Sequence, residues 1–190
     1  KEMELVKLGD VAEVKQGLAT GDNDYYLRQS RERIKGASKN YRLVDFSLVI
    51  TEGDMEKIAG DESLRMEVVA KGICRESGKC SERYFGGRYF VPYDKGGASD
   101  IEEGWLPNYY VPTDYFIDWS EEAVSRMKTL TIAQKDGRGS NKLCSRFQNS
   151  DFYFRKGISF SDSGIYSPTY RISNGNLFDQ KGSLIMPMEQ

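Results

Sequence analysis

Between Phe154 and Pro187 the chain reads FRKGISFSDSGIYSPTYRISNGNLFDQKGSLIMP, a succession of short apolar runs punctuated by Gly, Ser, Asn, Asp and Pro. Runs of this length and makeup build strands, and the punctuation supplies turns. Ser173-Asn174-Gly175-Asn176, lying between IYSPTYRI and LFDQ, predicts a hairpin. A stripe at helical spacing occurs earlier, at Ala123, Val124, Met127 and Leu130. Asp118 and Glu121 ahead of it have capping-box spacing, with Ser120 as an alternative N-cap, so a helix is expected over 120–134. The fold class that follows is α+β: a twisted, mainly antiparallel sheet built largely from the C-terminal half, with a few helices packed on it. A length of 190 residues suits one domain spanning 1–190.

The remaining segments give weaker signals. Leu5, Leu8, Val11 and Val14 suit a short strand or a helical turn. ATGDND (19–24) is turn chemistry, and the charged stretch 29–40 reads as a loop. YRLVDFSLVI (41–50) is rich in β-formers and reads as a strand. Residues 54–65 have a helical pattern interrupted at Gly60, 65–74 are ambiguous, 88–92 suggest a short strand, and 93–104 a loop.

With no histidine in the chain, Ser-His-Asp and Cys-His catalysis and imidazole-based zinc sites are excluded. Three irregularly spaced cysteines, Cys74, Cys80 and Cys144, argue against a disulfide framework and against a four-thiolate metal site. They favour a reducing, cytoplasmic setting. No apolar run is long enough to span a bilayer, and neither a signal peptide nor a membrane partner is expected. The chain begins without methionine, consistent with a domain of a larger protein.

A net charge of −2 hides an asymmetry. Residues 1–120 carry 17 basic and 22 acidic side chains; residues 121–190 carry 10 and 7. The window 124–156 holds eight cations against Asp136 and Asp151, interleaved with Phe147, Phe152, Tyr153 and Phe154. Such a stretch suits a phosphate-facing surface, or a solvated helix and loop with surplus lysine.

Three blocks carry a family resemblance: GLATGDNDYYLR (17–28), RYFVPYDKGG (88–97) and the C-terminal stretch 154–187. In this order and spacing the chain resembles the target recognition domain of adenine-specific DNA methyltransferases, the type IIG restriction-modification and BREX phage-defence kind. Several features of that family's catalytic half are missing. There is no Pro-Pro dipeptide for an adenine pocket and no glycine-rich loop following a strand. The resemblance therefore implies a non-catalytic module that selects the DNA sequence. Its partners would be double-stranded DNA and a catalytic methyltransferase domain of the same parent chain, which would use S-adenosylmethionine; the fragment itself needs no cofactor. Ser159-Phe160-Ser161 stands where the family usually has Thr-Trp-Ser, and Phe160 is expected to be framework.

Recognition domains of this kind read bases from loops, with phosphate contacts fixing the register. Asn23 in the first loop, with Tyr25 close by, can read an adenine edge and Asp22 a cytosine amine; Asn23 and Asp22 can instead simply shape the turn, the fate expected of Asp22, whose carboxylate would repel phosphates. Lys95, followed by two glycines, resembles a phosphate contact. In the basic window Lys128, Lys135, Lys142 and Arg155 are candidate phosphate contacts. Arg138, flanked by glycines in DGRGSNK, can project its guanidinium into a groove. The alternative reading is a protein-interaction or structural domain of a defence complex. A nuclease-like pattern, Asp162 with Asp179-Gln180-Lys181, has the spacing of a metal-binding core but lacks the proline expected before Asp162, so no metal site or catalytic residue is assigned.

Overall fold

The computed structural model describes residues 6–32, 39–96, 112–137, 139–161 and 170–188. In chain order the elements are α1 (Leu8–Val11), β1 (Ala12–Lys15), β2 (Leu18–Ala19), α2 (Asn23–Tyr26), β3 (Leu27–Gln29) and β4 (Arg42–Leu43). Next come α3 (Glu52–Gly60), α4 (Glu62–Lys71), β5 (Phe90–Asp94), β6 (Tyr115–Asp118), α5 (Glu121–Thr129) and α6 (Ile132–Asp136). The C-terminal part supplies β7 (Arg146–Phe147), β8 (Lys156–Ser161), β9 (Tyr170–Asn174), β10 (Leu177–Phe178) and β11 (Gly182–Pro187). The class is α+β with mostly antiparallel pairing.

Among the described residues three sheets form rather than one. The first has order β1-β11-β8-β9, antiparallel throughout, and only β1 comes from outside the C-terminal half. The second, β10-β5-β6-β3-β4, mixes strands from the whole chain, with antiparallel centre pairs and parallel outer ones. A two-stranded ribbon, β2-β7, lies beside them. The expectation of a sheet built largely from the C-terminal half thus holds for the first sheet and not for the second.

Short capping side chains explain where the helices break. Thr51 caps α3 through a reciprocal pair with Asp54, and Asp61 caps α4 by accepting from Leu64 N at 3.0 Å. Ser120 caps α5, accepting from Ala123 N at 3.3 Å. The single helix expected over 120–134 is two, because Thr131 and Gln134 form a second capping box that restarts the helix as α6. Likewise the strand expected over 41–50 shortens to β4, because the Asp45 carboxylate accepts from Ser47 N and turns the chain into a 3-10 helix at Phe46–Leu48.

The core joins the sheets to α3, α4 and α5. Trp119 is fully buried at its centre, donating from Nε1 to Val68 O at 3.0 Å, with the rings of Phe147, Tyr153 and Phe154 at 5.9–6.2 Å. Tyr153 and Phe154 are therefore interior residues and not part of a phosphate-facing surface. Arg65, also buried, ties α4 to the next layer: Nη1 donates to Asp151 O at 2.7 Å and Tyr153 O at 2.9 Å.

The cysteine expectation is corrected. Cys74 and Cys80 form a disulfide across a short loop, with Cα atoms 6.2 Å apart, a spacing within the usual range. Cys144 is free. No described helix is long and apolar enough to cross a membrane.

Candidate functional site

A polar cleft of about 620 Å³ opens where the first loop, the end of β5 and the β10–β11 turn meet. Its first wall is Thr20–Asp24. The Thr20 hydroxyl donates to the Asn23 carboxamide oxygen and accepts from Asp22 N at 3.3 Å, closing the turn on itself. Gly21 has φ +70° and lies so close to the next segment that a Cβ would fall 2.2 Å from Cys144 O. Only glycine meets both demands.

The second wall is Lys95–Gly96. A Cβ on Gly96 would sit 2.1 Å from the Lys181 carbonyl carbon, so the absent side chain is what lets β5 approach the 179–182 turn. That turn is the third wall. Asp179 Oδ1 accepts from Lys181 N at 2.7 Å and from Gly182 N, while Asp179 N donates to Asp94 O at 3.2 Å. Burial lifts the Asp179 carboxyl above the usual carboxylate range, against the opposing pull of these backbone N–H groups and of Lys95. Asp179 thus shapes a turn. Its supposed nuclease partner Asp162 lies outside the described residues, and the carboxylates around this cleft form no metal cluster among the described residues.

Residues from 131–137 and 139–145 lie against the first loop. Lys135 Nζ donates to Gly21 O at 2.7 Å and stands 3.8 Å from Asp22, and the Ser145 hydroxyl donates to Thr20 O. Four lysines (39, 95, 135 and 181) and three aspartates (22, 24 and 179) line the cleft, close to charge balance. Lys39 pairs with Asp24, and Lys95 sits 5.2 Å over the Tyr115 ring. Arg146, on β7, donates to Gln180 Oε1 at 2.8 Å and joins the ribbon to the turn.

The fold brings Asn23, Lys95 and Lys135 together at this cleft. Tyr25 stands next to it, half exposed, with the Arg126 guanidinium 4.5 Å from its ring centre. Lys142 is exposed within 139–145. Arg138 lies outside the described residues. Asn23 is turn-shaping through its oxygen, yet among the described residues nothing accepts from its Nδ2.

Lys128 and Arg155 are elsewhere. Lys128 Nζ donates to Val69 O and Ala70 O at the C-terminal end of α4 and lies 5.2 Å over the Phe147 ring. Desolvation pushes its pKa down. Arg155 pairs with Glu62 at 3.5 Å and lies over Phe152. The basic window therefore divides into a part beside the cleft and a part that braces the helical layer. Lys39 and Lys181 were missed as site residues. Lys181 could have been found in FDQKG; nothing in the sequence placed Lys39 near the first loop.

No protein-family model matches the chain, and no curated protein does.

Proposed function

We propose that the chain is a DNA target recognition module of an adenine-N6 DNA methyltransferase, as found in restriction-modification or phage-defence systems. It is itself non-catalytic. Methyl transfer from S-adenosylmethionine belongs to a separate domain of the parent chain. The observation that carries this reading is convergence: GDND at 21–24, KG at 95–96 and DQK at 179–181, each within a block of the resemblance, line one lysine-bearing cleft.

Its chemistry suits a nucleic-acid backbone. The Lys39–Asp24 pair at the rim is exposed, and such pairs contribute about 0–1 kcal/mol, so a phosphate can replace that carboxylate at little cost. Close-packed glycines keep the walls low, and Asn23 Nδ2 and the exposed Tyr25 ring remain for base edges.

The test is binding of the chain to labelled duplex DNA across a salt series. Affinity falls with salt, and Lys135→Ala and Lys181→Ala each lower the logarithmic slope by about 0.9. Slopes indifferent to both changes refute the cleft as the phosphate site.

A second reading, docking onto another protein, is favoured by one observation. The outer face of the four-stranded sheet carries a row in register, Val14–Ile185–Ile158–Ile172, of which Val14, Ile158 and Ile172 are more than two-fifths exposed. Exposed apolar rows of this kind mark contact surfaces.

A further inference from the structure

We propose that, once reduced, Cys74, Cys80 and Glu121 form a binding site for zinc or a similarly thiophilic divalent cation. None of these three residues lines the cleft, and the site does not depend on the reading given to it.

The two sulfurs and a Glu121 carboxylate oxygen all lie within 4.8 Å of one another, and among the described residues this is the one group of three ligating side chains so placed. The Cys80 Sγ to Glu121 Oε1 distance is 3.6 Å. Tetrahedral zinc, with Zn–S near 2.3 Å and Zn–O near 2.1 Å, sets an S···O edge of about 3.5 Å, so that pair already stands at ligand spacing. The two sulfurs need only part from bonding distance to a similar edge, a side-chain rotation on a loop of five intervening residues.

The surroundings hold these ligands in place. Cys74 is buried and anchored by its N–H to Arg83 O at 2.9 Å. Glu121 opens α5, whose positive end favours anionic groups. Arg83 fixes the carboxylate: Nη2 donates to Glu121 Oε1 at 2.9 Å, Nη1 donates to Gly72 O at 2.7 Å, and Nε stands 3.4 Å from Glu67. Oε1, the oxygen at ligand spacing from Cys80, keeps a lone pair for a cation beside the single bond it accepts from Arg83 Nη2. Two thiolates and this carboxylate would place three negative charges beside one guanidinium, an excess that a divalent cation offsets.

Opening the site requires a dithiol reductant. Its thiolate attacks the half-buried Cys80 sulfur, and the Cys74 sulfur leaves with the electron pair of the S–S bond. The second thiol then resolves the mixed disulfide, releasing Cys80. The pair gains two electrons and two protons while the reductant closes to its own disulfide. Metal binding then displaces the two thiol protons into solvent.

Cobalt(II) serves as the probe, because thiolate ligation gives it a sulfur-to-metal charge-transfer band. The Cys144→Ala form removes the unrelated thiol. Reduced protein takes up one equivalent of cobalt with that band, and zinc displaces it; the oxidised protein takes up none. Cys80→Ser, at the more exposed position, weakens uptake at least tenfold while circular dichroism reports an intact fold. Glu121→Gln keeps the band with roughly tenfold weaker binding. Zinc raises the melting temperature of the reduced protein only. A reduced, folded protein without the band, or cobalt uptake by Cys80→Ser as tight as the parent's, overturns the proposal, and binding indifferent to Glu121→Gln overturns the part given to the carboxylate.

Discussion

Replacing Gly96 with alanine tests the construction of the cleft more directly than any charge change. The added Cβ would lie 2.1 Å from Lys181 C, 2.2 Å from Gly182 N and 2.3 Å from Lys181 O, all backbone atoms that no rotamer change can move aside. Ordinary contact begins near 3.4 Å. One wall must therefore retreat by about 1.3 Å, an overpacking of the kind that costs about 1–3 kcal/mol. The retreat strains the bonds from Lys181 N and Gly182 N to Asp179 Oδ1. At 2–4 °C per kcal/mol for a chain of this size, the melting temperature should drop by roughly 2–12 °C. Gly60, the last residue of α3, is the control. It has nothing within 4 Å of an added Cβ, and alanine there should leave stability equal or raise it by up to about 1 kcal/mol. Thermal melts and DNA titrations on both variants decide the matter. If Gly96→Ala melts with the parent and binds DNA with unchanged affinity, the close approach of β5 to the 179–182 turn is wrong, and the cleft with it.

Lys128→Ala should lower stability by about 0.5–1.5 kcal/mol through loss of its bonds to the end of α4, while leaving the salt slope of DNA binding unchanged; a reduced slope would return Lys128 to the phosphate contacts. Arg65→Leu strands the buried carbonyl of Tyr153, at about 1–3 kcal/mol, and frees the part-buried one of Asp151 to water, and urea denaturation should show a loss of that order. Asp179, its carboxyl raised by burial, binds a proton more tightly folded than unfolded, so its contribution falls as pH rises through the folded pKa. Asp179→Asn should therefore be more stable relative to the parent at pH 7 than near pH 4, and an advantage that grows on acidification would reverse the assigned sign.

Much of the local structure was written in short-range chemistry. The cap at Ser120, the apolar stripe on α5, the turn around Gly21 and the strand character of β8 and β11 each depend on residues within a few positions of one another. That the three blocks meet at one cleft was not legible in their order, and neither were the distances that make it. Where local signals competed, sequence reading chose wrongly. The Thr131–Gln134 capping box was hidden within an apparently continuous apolar period, and Asp45 ended a run rich in β-formers.

Pairing was beyond reach for a different reason. The turn at 173–176 is real, with Gly175 at φ +95°, but β10 does not fold back on β9; it leaves the first sheet and joins β5 in parallel. A turn sequence fixes only that the chain changes direction. Which strand edge receives the next segment depends on contacts some eighty residues away, Leu177 on Tyr93 and Phe178 on Asp94. The same holds for the aromatic residues and the cations. Composition supplied Tyr153, Phe154, Lys128 and Lys135 to one window, and only tertiary packing put the first two around Trp119, the third on the carbonyls of α4 and the fourth at the mouth of the cleft. Burial and ion pairing are properties of the space between segments, and the sequence carries no direct record of that space.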